Sequence, residues 1–149
     1  MVKRVLVVAV VLFTGLALKS VSAQSKATQF VHTADAVKFT PLDPKDPGGA
    51  AISVITGELQ GKGPITLLLR LAKGAAPIHT HTSNYYAVLV KGQSKHWPAG
   101  ADAAKAQTLN PGSVWYQPGK APHGDECLAT QCLIVLQLDG PYDFAPVTK

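Results

Sequence analysis

After an apolar block at its start, the chain alternates short apolar runs with turn residues and shows almost no 3.6-residue periodicity. The runs Ala36–Thr40, Ala51–Glu58, Ile65–Leu71, Ile78–His81, Tyr85–Val90, Ser94–Trp97, Ser113–Tyr116 and Cys132–Leu138 read as strands. Gly- and Pro-bearing turns separate them, among them Pro44–Gly49, Gly61–Pro64, Lys91–Gln93 and Asp139–Pro141. Ile65–Leu71 and Cys132–Leu138 are apolar on both parities, which predicts strands central in a sheet and buried on both faces. Only Ala101–Gln107 has the spacing for two helical turns, and the segment after Phe144 reads as a frayed tail. Strands at this spacing predict a single all-β domain, a sandwich or a barrel.

The apolar block changes how the charge is read. Residues 1–23 hold Lys3, Arg4 and Lys19, no acid, an apolar run from Val5 to Leu18, and a small-residue exit at Val21-Ser22-Ala23. That is the pattern of a secretory signal cleaved before Gln24, and the run is too short to span a bilayer. The expected mature protein is therefore secreted or periplasmic, with no membrane partner. The 149-residue chain is formally +5, but residues 24–149 carry 11 basic groups against 9 acidic ones. The remaining cations are scattered singly, which argues against nucleic acid as a partner.

Cys127 and Cys132 are the two cysteines. In an oxidising compartment they are expected to form a disulfide across a tight turn, the other reading being a reactive or metal-bound thiolate. Phosphate-binding glycine loops and the Gly-x-Ser-x-Gly elbow of serine hydrolases are absent. The adjacent acids Asp125 and Glu126 would point to opposite faces of a strand, which gives no paired-carboxylate site.

His79 and His81 are one residue apart. On a strand this spacing puts both imidazoles on one face, about 7 Å apart at Cα, so that two ring nitrogens can converge on one ion. A third ligand must then come from another strand.

The frame around these histidines resembles the cupin superfamily. The first cupin motif matches Gly74, His79-Thr80-His81, Tyr85 and Gly92, and the second matches Gly112, Pro118-Gly119-Lys120, His123 and Cys127. The spacer after Gly74 is one residue short, Lys120 stands where the family usually has Gly, and Cys127 stands for its Asn. Tyr85 stands where most metal-binding members have a glutamate ligand. The resemblance covers roughly residues 61–145, with residues 24–60 as lead-in and first strands of the same domain. It implies an antiparallel jelly-roll barrel with one divalent transition metal (Fe, Zn or Mn) held inside by His79, His81 and His123.

On that resemblance the chain is expected to be an exported metal-dependent enzyme, oxygenase-like, acting on a small organic molecule. The alternatives are a non-catalytic module that binds a metal or small ligand, and a metal-free carbohydrate-binding barrel. Tyr85 is expected to face inward, as a fourth ligand, a hydrogen-bonding neighbour of the ligands or a proton relay, and Tyr86 outward. Asp125, two residues after His123, is the other candidate for a fourth ligand or for an acceptor behind an imidazole, set against a solvated turn acid. Trp115 and Tyr116 should split faces, His32 and His96 are expected to be ordinary exposed histidines unless His96 packs under the barrel rim beside Trp97, and a homodimer through a sheet edge fits this kind of barrel.

Overall fold

The structure, a computed structural model, describes residues 28–148. The secretion signal expected over residues 1–23 lies outside the described residues. The chain divides into two units, Met1–Val31 and His32–Lys149, and every element below belongs to the second.

Ten strands form one curled sheet in which all pairings are antiparallel: β1 (Thr40–Pro41), β2 (Ala51–Thr56), β3 (Ile65–Ala75), β4 (His79–Thr80), β5 (Tyr85–Lys91), β6 (Ser94–Pro98), β7 (Thr108–Leu109), β8 (Val114–Gln117), β9 (His123–Leu138) and β10 (Ala145–Pro146). The long β9 is the organising strand. Along one edge it pairs with β3, from Ile65 opposite Leu138 to Ala75 opposite Glu126, and then with β4, where His79 lies opposite His123. Along its other edge it pairs with β5 from Leu138 back to Leu133, and with β6 from Cys127 to His123. The two-residue alternation of β5 buries Tyr85, Ala87 and Leu89 and exposes Tyr86, Val88 and Val90. With Ile65, Leu67, Ile134, Leu136 and Leu138 they form the core on the concave face.

The all-β antiparallel reading holds, and five local readings change. The last long strand starts at His123 rather than Cys132, because residues 123–126 are polar and carry no apolar alternation to mark them. Cys127 and Cys132 form a disulfide, but within β9 rather than across a turn between strands. Between the pairs Ala72–Gln131 and Gly74–Cys127, two steps along β3 match four along β9, and the disulfide closes this bulge with its Cα atoms 5.8 Å apart. The β5–β6 hairpin presses on the bulge at Gly92 (φ 91°), where a Cβ would lie 2.5 Å from the Gln131 carbonyl oxygen.

The helix expected over Ala101–Gln107 shrinks to one 3-10 turn, Ala103–Lys105, capped by Asp102. It buries no residue, and an isolated two-turn helix without packing is unstable. The tail after Phe144 is ordered as β10, which pairs with β4, and the Val147 N–H donates to the Ile78 carbonyl at 2.8 Å. Finally, β3 is central, but only its inward parity is fully buried at Ile65 and Leu67, while Leu68 and Arg70 on the other face are half-buried.

Candidate metal centre

The polar residues expected to matter are delivered as cross-strand pairs. Directly opposite residues on one sheet face bring their side chains together. His79 of β4 faces His123 of β9, His96 of β6 faces Asp125 of β9, and Tyr85 of β5 faces Gln117 of β8. Asp125 follows His123 by two residues and so shares its face, as His81 does with His79. The intervening Gly124 has no side chain because the Trp97 indole lies against it; a Cβ there would come within 2.6 Å of the ring.

His79, His81 and His123 are buried, and one ring nitrogen of each lies within 4.8 Å of those of the other two. Their tautomers are set by the backbone. His79 Nδ1 bonds the Pro77 carbonyl at 2.8 Å, His123 Nδ1 bonds the Ala121 carbonyl at 3.0 Å, and His81 Nδ1 bonds the Asp143 carbonyl. A carbonyl only accepts, so each Nδ1 carries the proton and each Nε2 keeps its lone pair. Burial is the main cause that pushes all three imidazoles below their ordinary pKa, which favours the neutral, ligating form. Three neutral imidazoles converging lone pairs on one buried point are a donor set that fits a divalent transition metal.

Asp125 and His96 stand beside this triad. Asp125 Oδ1 accepts from His96 Nδ1 at 2.7 Å, while Oδ2 lies 3.4 Å from His79 Nε2 and 3.7 Å from His123 Nε2. Burial works against the carboxylate, but the His96 hydrogen bond and the neighbouring imidazoles outweigh it and hold Asp125 below the usual carboxylate range. Asp125 is thus a half-buried strand acid, not a solvated turn acid. His96 is half-buried too, and its Nε2 meets Gln117 Oε1 at 3.0 Å. The Gln117 amide donates to the Pro118 and Ala121 carbonyls, which fixes Oε1 as the atom facing His96. His96, His123 and Asp125 are close enough to form a second metal group. Both His96 nitrogens, however, are spent on Asp125 and Gln117.

Tyr85 is buried as expected, and Tyr86 is 66% exposed. The Tyr85 hydroxyl donates to His123 Nε2 at 3.2 Å. Burial, with the nearby Asp125 charge, raises its pKa and keeps it a phenol. Trp115 lines the cavity and Tyr116 is half exposed, so these two also split faces. His32 is exposed and belongs to neither group of potential metal ligands found among the described residues.

The C-terminal segment contributes groups that the strand pattern does not reveal. Asp139 bonds Asn84, Ser83 Oγ donates to the Pro141 carbonyl, and Asp143 bonds the Thr82 N–H and hydroxyl. This clip places Phe144 on His79, with ring centroids 4.3 Å apart and planes 27° from parallel. The site opens into a cavity of about 730 Å³ walled by Leu69, Leu71, Ile134, Leu136 and Trp115, with His79, His81 and Asp125 in its polar part. The indole N–H of Trp115 is buried, with the Tyr85 hydroxyl near it.

No family model matches the sequence, and no curated protein matches it. Solved structures do. The polyketide cyclase RemF from Streptomyces resistomycificus aligns with a TM-score of 0.63 at 16% identity, over 83% of this chain and 87% of that one. KdgF from Halomonas sp. aligns at 0.55 and 16% identity, over 72% and 92%. A cupin-2 domain from Rhodospirillum rubrum aligns at 0.60 and 12% identity, over 84% of each chain. At these identities the likeness shows the fold, and that fold is the cupin fold.

Proposed function

We propose that this cupin-fold chain binds one divalent transition metal (Fe, Zn or Mn) through His79, His81 and His123 and acts as a metal-dependent enzyme on a small organic molecule. The observation that carries the reading is the common tautomer: all three Nδ1–H groups are tied to backbone carbonyls, so three Nε2 lone pairs face one another at a buried point. An ion held by three neutral imidazoles supplies Lewis acidity and open positions for an oxygen of the bound molecule. The remaining work falls to the chain. Leu69, Leu71, Ile134, Leu136 and Trp115 bind an apolar body. The Tyr85 hydroxyl orients an oxygen at the polar part, and the clipped tail with Phe144 limits access of water to His79.

Several similar structures are enzymes by name, a polyketide cyclase and DMSP lyases among them, which supports small-molecule chemistry as the class. The Cys127–Cys132 disulfide accords with an oxidising compartment and so with export. The test is elemental analysis of protein purified without chelators or a His tag, beside a folded His79→Ala/His123→Ala variant. Near one equivalent of a transition metal, lost in the variant, supports the reading, and no metal in either after reconstitution overturns it. Metal without turnover of any small molecule would leave a binding module, and assays with and without dioxygen separate oxygenase from lyase or cyclase chemistry.

A further inference from the structure

We infer that Asp125 is the carboxylate donor of this metal centre and that His96 is the residue that positions it. The inference rests on the three-histidine reading above and extends it. Tyr85 stands where the cupin resemblance would put a glutamate, and an acid reaches the site from another strand. Here β9 supplies it, two residues beyond His123 and on the same face.

The distances to two of the three histidines suit a ligand, while His81 groups with those two and not with Asp125. Neighbouring donors on an ion of five or six coordination, each about 2.0–2.1 Å from it, would be separated by about 2.9–3.6 Å, and such an ion would keep a position open beside three histidines and a carboxylate. Asp125 Oδ2 lies 3.4 Å from His79 Nε2 and 3.7 Å from His123 Nε2. Both nitrogens carry lone pairs, because their Nδ1 atoms hold the protons. A carboxylate oxygen and two lone pairs facing one another are three acceptors in one place, and a cation among them satisfies all three at once.

The other carboxylate oxygen is tethered. His96 Nδ1 donates to Asp125 Oδ1 at 2.7 Å, and its Nε2 lies 3.0 Å from Gln117 Oε1. Gln117 is buried and donates to the Ala121 carbonyl at 2.9 Å, the same carbonyl that takes the His123 Nδ1 proton. One backbone oxygen therefore ties the His123 tautomer to the chain of bonds that aims Asp125. His96 makes no hydrogen bond to any of the three imidazoles, although its ring centroid lies 5.0 Å from that of His123; the group it holds by a direct hydrogen bond at the site is Asp125.

The experiment measures Co²⁺ and Zn²⁺ affinity by chelator competition, and the d–d absorption of the Co²⁺ complex, for wild type, Asp125→Asn, His96→Phe and His96→Asn. Asp125→Asn is expected to bind about tenfold or more weakly and to shift the d–d bands. His96→Phe should weaken binding, and His96→Asn, which keeps a donor at the Nδ1 position, should restore most of it. A wild-type d–d spectrum in Asp125→Asn overturns the inference, whether or not affinity falls, since Asp125 would then merely orient the histidines. Wild-type affinity in His96→Phe overturns the positioning role. Should Asp125→Asn not fold, the infrared difference spectrum of the wild-type chain with and without Zn²⁺ decides: a shifted carboxylate stretch supports ligation and an unshifted one overturns it. Failure of the wild type itself to bind either ion would instead overturn the three-histidine reading.

Discussion

The Tyr85 hydroxyl donates a hydrogen bond to His123 Nε2 across 3.2 Å, the atom whose lone pair the proposed ion takes. Ion and phenol therefore compete for one nitrogen. A hydrogen bond of this kind contributes about 0.5–1.5 kcal/mol net, so Tyr85→Phe is expected to tighten Zn²⁺ binding by roughly three- to tenfold. Chelator competition reads this directly. Weaker binding in the variant would instead make Tyr85 a ligand.

Stability should depend on pH through the same histidines. Burial lowers the folded pKa of His79, His81 and His123 below the ordinary imidazole value of 6.5. Below that value the unfolded chain takes up protons that the folded chain refuses, so stability present above about pH 6.5 is lost as pH falls through the depressed native values. Denaturant melts of metal-free protein between pH 7.5 and 5 should show this fall. A His81→Gln variant, if folded, should show a shallower one. Flat stability over that range would mean that the three imidazoles are not held neutral.

Removal of Phe144 and the residues after it deletes the ring stacked on His79 and the β10 pairing to β4. Zn²⁺ affinity is expected to drop about tenfold, the scale seen when groups that orient ligands are lost. Unchanged affinity would show that the tail plays no part in holding the site.

Gly124→Ala places a methyl within 2.6 Å of the Trp97 indole, between His123 and Asp125 on the chain. The ring must move, and overpacking of this kind costs about 1–3 kcal/mol. Denaturant melts and the Trp fluorescence maximum would both report it.

Much of the fold was legible because β2, β3, β5 and the second half of β9 obey apolar alternation or carry dense apolar runs. What escaped has a common physical cause. Residues 123–126 form the first quarter of the longest strand, yet they carry site chemistry instead of core, so alternation does not mark them. The contact of His96 with Asp125 depends on the register between β6 and β9, which a bulge and a disulfide set and the sequence does not display. The tail escapes the pattern for a similar reason: its order comes from Asp139 and Asp143 reaching residues near position 83, contacts more than fifty residues apart in sequence. The histidine triplet itself was visible, since the one-residue spacing of His79 and His81 puts them on one face. The cupin resemblance then supplied His123. Lys120, in place of the usual glycine, adopts the left-handed conformation that a glycine would take, with φ at 63°.

The most direct test of the account is X-ray absorption at the metal edge of the Zn²⁺- or Co²⁺-loaded chain. The account predicts a shell of three imidazole nitrogens at about 2.0–2.1 Å, together with oxygen. It would be contradicted by a bound ion without imidazole scattering, or by a spectrum unchanged when His79 and His123 are both replaced by alanine.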